Sequence, residues 1–316
     1  MKKLIFPLLL LVTFCGIAQQ EAQYSNYNMN SFMLNPAVAG SKAFLNAKLG
    51  MRSQWVGIEG SPQTQFASFQ SPINHPTTLP RFRNRKTHHG VGMSLYSDEA
   101  GAFKHQSLIA SYALHMKLNK KYTLSVGAST GLKVFMINNQ DLTPQQSTTD
   151  VIISAGNLQK YLPDANVGAW LYSDKLYAGI TGRQLLTSDV SFNTANSSQN
   201  LERHFFGTVG YKSRINSSWN FVPSSMVQIS PSAPIQADLN GTFWYDNKLA
   251  IGATYRHLDA VYMVLDYVLF DALEISYAFD LTFSGLSRYN SGTHEIIIGY
   301  RWKSERKKYS CPSPIW

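Results

Sequence analysis

Cysteine is nearly absent from this chain: of 316 residues only Cys15 and Cys311 carry a thiol. Cys15 falls inside an apolar amino-terminal run, so once that run is removed Cys311 is alone. That excludes an intramolecular disulfide framework, and no zinc ligand set stands in its place. Charge is also scarce, at 15% of residues against the usual quarter or so. After the leader no apolar run is long enough for a membrane helix. What the chain has instead is aromatic residues, at 13%.

Residues 1–18 read as an export leader. Lys2 and Lys3 form its charged start, residues 4–14 its apolar run, and Gly16-Ile17-Ala18 a small-residue cleavage site before Gln19. Acylation at Cys15 is the other reading, and bulky Phe14 in front of the thiol argues against it. The formal charge of +9 falls to +7 once Lys2 and Lys3 leave. In an exported protein this excess points to solvated faces or anionic lipid headgroups, and nucleic acid is not expected as a partner.

Aromatic, charge-poor, exported and without spanning helices, the chain fits one class. In hydrocarbon the backbone must be satisfied within a helix or by a closed sheet. The period-two pattern supplies the sheet. In ALEISYAFDLT, Leu273, Ile275, Tyr277, Phe279 and Leu281 alternate with Glu274, Ser276, Ala278, Asp280 and Thr282. In LAIGATYR, Leu249, Ile251, Ala253 and Tyr255 alternate with Ala250, Gly252, Thr254 and Arg256. About fourteen segments of this kind begin near residues 43, 64, 88, 104, 122, 164, 175, 203, 219, 234, 248, 260, 272 and 293. The expected fold is therefore all-β: a transmembrane antiparallel β-barrel of the outer membrane, spanning residues 43–303. A soluble propeller would bury both faces of its sheets, and rows carrying Lys133, Asp238, Glu274 and Arg301 do not suit that.

An even strand count puts both termini, and with them the amino-terminal segment 19–42, on the periplasmic side. Long connections at 54–63, 137–163, 187–202 and 283–292 then follow odd strands, as outward loops should. Tight turns at 119–121, 173–174, 246–247 and 271 follow even ones. The exception is 74–87, a long connection after the second strand that holds the basic cluster 81–86. Lys133, Asp238, Asp266, Glu274, Asp280, Glu295 and Arg301 fall on the inward rows as candidate lumen-lining groups. Eight histidines occur, none in a nucleophile motif, and His88-His89 finds no third ligand at a plausible spacing. Gly90, Gly92, Gly127 and Gly131 read as strand glycines that ease curvature and not as a phosphate loop. No catalytic residue, metal site or cofactor is expected.

Four stretches carry a family resemblance: QYS…FMLNPAVAGS at 23–41, RSQWVGIEGSPQTQFASFQSPI at 52–73, GVGMSLYSDEAGAF at 90–103 and PDANVGAWLYSDKLYAGITGRQLL at 163–186. In order and spacing they resemble the PorP/SprF-type outer-membrane proteins of the type IX secretion and gliding apparatus of Bacteroidetes. The second half of the chain agrees mainly in strand rhythm and in HEIIIGYRW. The resemblance implies a barrel without enzymatic activity that serves export, surface display or anchoring of cargo bearing a C-terminal sorting domain. That cargo is often a large surface adhesin used in gliding. It also implies possible partners in the periplasmic ring and in a peptidoglycan-binding lipoprotein. A passive or substrate-specific porin is the alternative, and an outer-membrane hydrolase a distant third.

Three regions stand out as candidate partner-binding sites. The first is the segment at 19–42, ahead of the wall, which either docks in the lumen or grips a periplasmic partner. Tyr24, Tyr27, Phe32 and Leu34 have no strand partner there, and Asn35-Pro36 forces a turn. The second is the first outward connection, with Gln54, Trp55, Pro62, Gln63 and Thr64, placed to shape a mouth that meets cargo. The third is the periplasmic tail 304–316, where Arg306, Lys307 and Lys308 suit anionic lipid or an acidic partner and Trp316 suits an anchor.

Overall fold

Residues of strict alternation have one way to bury a polar row and expose an apolar one: a sheet that closes on itself. In the computed structural model, residues 24–73, 87–138, 158–186, 201–231, 233–257, 259–283 and 289–302 are described. The strands are β1 (Leu45–Ser53), β2 (Gln63–Ile73), β3 (Thr87–Ala100), β4 (Phe103–Lys117), β5 (Thr123–Ile137), β6 (Leu158–Tyr172), β7 (Leu176–Arg183) and β8 (His204–Tyr211). They continue with β9 (Ser213–Arg214), β10 (Trp219–Ser230), β11 (Ala233–Tyr245), β12 (Leu249–Arg256), β13 (Ala260–Leu269), β14 (Leu273–Thr282) and β15 (Thr293–Trp302). Each pairs antiparallel with its neighbours, and β1 pairs with both β2 and β15. The sheet has no free end, so the barrel is closed. β8 and β9 both pair with β10 and together make one wall position, which leaves fourteen.

The wall is amphipathic in the sense the alternation requires. Leu49, Met51, Leu95, Leu108, Ile180, Leu239, Ile251, Met263, Ile296 and Ile298 are exposed on the outside. So wide an apolar surface suits hydrocarbon and not water. Inward, the rows carry Ser68, Gln70, Ser107, Ser111, Ser125 and Ser129, together with most of the buried ionisable groups. Tyr211, Trp219, Tyr245, Tyr267, Tyr300 and Trp302 are exposed near the end of the barrel where β1 begins, an aromatic girdle. Ten residues rising about 3.3 Å each at a tilt of about 40° cover roughly 25 Å, the height of the hydrocarbon band.

The tight turns owe their shape to local chemistry. Asp246 and Asn247 both adopt left-handed φ, 48° and 53°, at the centre of a turn closed by Lys248 N–H on the Tyr245 carbonyl at 2.9 Å. Phe270 and Asp271 do the same at 51° and 54°, and Phe270 stands out of the turn 93% exposed. One boundary departs from the sequence reading. β6 begins at Leu158 and not near residue 164, because Leu158–Pro163 keeps pairing with β5 up to Ile137. Pro163, the last residue of the connection expected at 137–163, sits inside the strand opposite Leu132.

Candidate functional site: an occupied lumen

The only helical turns of the described residues lie inside the barrel. Residues 24–42 run through the lumen, with a short helix α1 (Ser31–Leu34) and a 3-10 turn (Pro36–Val38). Asn35 organises this corner. Its Oδ1 accepts the Ala37 N–H at 2.9 Å, while Nδ2 donates to the carbonyls of Ala169 at 3.1 Å and Ile180 at 3.3 Å on β6 and β7. Proline at the first position of the 3-10 turn has no N–H to leave unpaired.

The turn fits because the wall has no side chains where it lies. A Cβ on Gly168 would overlap the Asn35 amide, one on Gly127 the Ala37 backbone, one on Gly90 the Ala39 carbonyl and one on Gly92 the Phe32 ring. Three of these were expected to ease curvature; they form a cradle as well. Gly131 differs, since its Cβ would meet the neighbouring strand at Leu108. Beside the cradle, His115 Nε2–H donates to the Ala39 carbonyl at 2.8 Å, which leaves Nδ1 to accept from the Tyr172 hydroxyl at 3.0 Å. His88 stacks on His115 with ring centroids 4.2 Å apart and faces the Gly40 carbonyl.

The earlier half of the segment is held by charge. Glu295 accepts the backbone N–H groups of Ser25 at 2.9 Å and Asn26 at 3.1 Å. Ser25 Oγ donates to Asp280 at 2.7 Å, and Asn26 Nδ2 donates to Asp266 at 3.0 Å. Arg52 links these acids, 2.9 Å from Asp280 and 3.7 Å from Glu295. Lys48 donates to the Met29 carbonyl and lies 3.9 Å from Glu274, which also pairs with Arg301. Tyr27 hydrogen-bonds Ser224 at 2.8 Å, and the Tyr177 hydroxyl donates to Asn28 at 2.6 Å.

All seven candidate lumen-lining residues lie on inward rows. Lys133 pairs with Asp164 at 3.2 Å, and Asp238 takes Arg256 in a two-pronged pair at 2.9 and 2.8 Å. Tyr24, Tyr27, Phe32, Leu34, Asn35 and Pro36 are all buried against the wall. The first connection is elsewhere, at the end of the barrel opposite the start of β1. There Gln54 N–H donates to the Pro62 carbonyl at 2.9 Å and Trp55 N–H to Thr293 Oγ1 at 3.1 Å. Gln63 is exposed at the start of β2, whereas Thr64 turns inward and donates to Asp98 at 2.6 Å. Arg306, Lys307, Lys308, Cys311 and Trp316 lie outside the described residues, as do the leader and the cluster 81–86.

Sequence reasoning did not single out Arg52, Lys48, Arg256, Asp164 or the Ser25-Asn26 pair. A signal existed for one of them: Arg256 stands on the polar row of LAIGATYR. For the others, cross-strand register was needed. The spaces left beside the segment are small, about 40 Å³ next to Lys42, Lys48 and Arg301 and about 10 Å³ next to Tyr27 and Trp170. On that measure a water needs roughly 10–15 Å³, so the first space takes a few waters and the second at most one. The arrangement can grip a chain and seal a barrel. Of the described histidines, His89 meets Tyr112, His204 meets Gln228 and His294 meets Tyr277, while His105 stacks on Phe135.

Comparison with known proteins extends this picture. No curated protein matches the chain in sequence. In structure it is similar to the Ralstonia pickettii toluene transporter TbuX, at 9% identity over 86% of this chain and 93% of that one, with a TM-score of 0.51. It is also similar to a Pseudomonas aeruginosa FadL homologue, at 8% identity over 85% and 93%, with a TM-score of 0.50. At such identity the likeness carries the barrel fold and nothing finer. Over residues 16–300 the sequence matches the family described as type IX secretion system membrane protein PorP/SprF. This closed outer-membrane barrel therefore belongs to the PorP/SprF family of the type IX secretion system.

Proposed function

We propose that the protein is a non-catalytic, sealed scaffold of the outer membrane that supports secretion, surface display or anchoring of a type IX cargo, such as a large adhesin with a C-terminal sorting domain. The observation that carries this reading is the occupied lumen in a chain of this family: residues 24–42 lie inside the barrel and are bonded to strands around it. In this reading the carboxyl end and the tight turns face the periplasm, where ring components or a peptidoglycan-binding lipoprotein are available. The long connections face outward, and Trp55, Pro62 and Gln63 border the mouth that meets cargo. The tail bearing Arg306, Lys307, Lys308 and Trp316 is then placed for lipid or an acidic partner.

Affinity purification of the tagged protein from native outer membranes, followed by mass spectrometry, tests the reading. A co-purifying exported protein with a C-terminal sorting domain is the expected result. Recovery of the barrel without any secretion component or cargo contradicts it. A porin is the second reading, favoured by the likeness to transporter barrels but opposed by the filled lumen.

A further inference from the structure

The lumen segment ends on a cation. Lys42 stands just past Gly40 and ahead of β1, and it is only 5% exposed. Among the described residues no carboxylate pairs with it and no acceptor receives a hydrogen bond from its ammonium. The Phe44 ring is near, with Nζ 6.0 Å from its centroid, and the Arg301 guanidinium lies 5.8 Å from the same centroid. An aromatic face offsets only part of the cost of burying an ammonium, and a second cation beside it adds to that cost. Lys42, Lys48 and Arg301 all border the space of about 40 Å³ beside the segment, and so do two acids, Asp266 and Glu274. Both acids are engaged. Glu274 is shared by Lys48 and Arg301, and Asp266 accepts from Asn26 Nδ2 at 3.0 Å. The rest of the lining is uncharged. Three positive groups against two negative ones leave one positive charge over, and Lys42 carries it.

We infer that this space is an anion site, in which Lys42, Lys48 and Arg301 hold one small monovalent ion of the halide class. A single negative charge is wanting, so the ion is monovalent. The space takes a few waters, so the ion is small, and a sulfate or a lipid phosphate fits neither the charge nor the room. A buried charge is tolerated when it is paired, and the ion supplies the partner that the wall does not. It also ties the end of the lumen segment to β1 and β15, the strands that carry Lys48 and Arg301. Because it binds only the seated arrangement, its free concentration stabilises that arrangement by mass action. The inference concerns how the segment is kept in the lumen, and it does not depend on which cargo the barrel serves.

Unfolding midpoints of the full chain in detergent test this, with chloride or bromide exchanged for gluconate at fixed pH and ionic strength. The midpoint is expected to climb as halide replaces gluconate. Lys42→Met should abolish that dependence, and Lys121→Met, on the exposed β4–β5 turn, should keep it. Crystals of the parent grown in bromide give a second readout that needs no variant: an anomalous peak is expected between Lys42, Lys48 and Arg301. Halide dependence that survives Lys42→Met, or anomalous maps without a peak in that space, would overturn the inference. So would equal midpoints in halide and gluconate, the behaviour of a Lys42 that has shed its proton and needs no counter-ion.

Discussion

Asn35 satisfies three backbone groups with one side chain: an N–H within its own turn and two carbonyls of the wall. Replacing it by Ala removes three buried hydrogen bonds, at a cost of about 1–3 kcal/mol. Asn35→Ala should therefore loosen residues 24–42, read as faster proteolysis of the segment in the folded barrel and a lower temperature for the gel shift on unfolding. The cradle glycines make a sharper case because space, not hydrogen bonding, is at stake. A Cβ at Gly127 would overlap the Ala37 backbone, which cannot swing aside as a side chain tip would, whereas a Cβ at Gly207 meets nothing within 4 Å. Gly127→Val is thus expected to destabilise by about 1–3 kcal/mol or more, and Gly207→Val to leave unfolding in detergent near that of the parent. Equal effects at the two positions would remove the cradle from the account.

At the scale of elements, β11 and β12 are joined inside by Asp238 and Arg256, almost fully buried and set two-pronged. Truncating Arg256 alone leaves a bare carboxylate, a loss of about 3–5 kcal/mol, while replacing both partners by apolar residues of similar volume costs far less. Unfolding midpoints of Arg256→Met and of Arg256→Met with Asp238→Leu should separate accordingly. This pair also shows what the sequence made legible. Alternation placed Asp238, Glu274 and Arg301 on the polar rows, and the strand starts fell within a few residues because one face must be apolar along the whole span. The start of β6 lies at Leu158 and not near residue 164, since pairing with β5 cannot be seen in one strand. The lumen segment was only half legible. Its aromatics and Asn-Pro turn announced a special role, but the acids that hold it come from β13, β14 and β15, more than two hundred residues away. The glycines that seat it looked like ordinary strand glycines, because a missing side chain says nothing about what fills the space.

For the whole molecule the central claim is that the barrel is closed by its own amino-terminal segment. The segment is attached in two ways, by the glycine cradle around 35–40 and by the cluster of Arg52, Asp266, Asp280 and Glu295 around 25–26. Deleting residues 24–34 removes the second attachment and keeps the first, so the wall should still insert and shift on heating. Secretion or cargo retention should fail in that variant. The most direct measurement is single-channel conductance in planar bilayers, parent against deletion. A barrel closed by residues 24–42 is silent as the parent and conducts in steady steps once they are cut; steady conductance by the parent, equal to that of the deletion, rules such closure out.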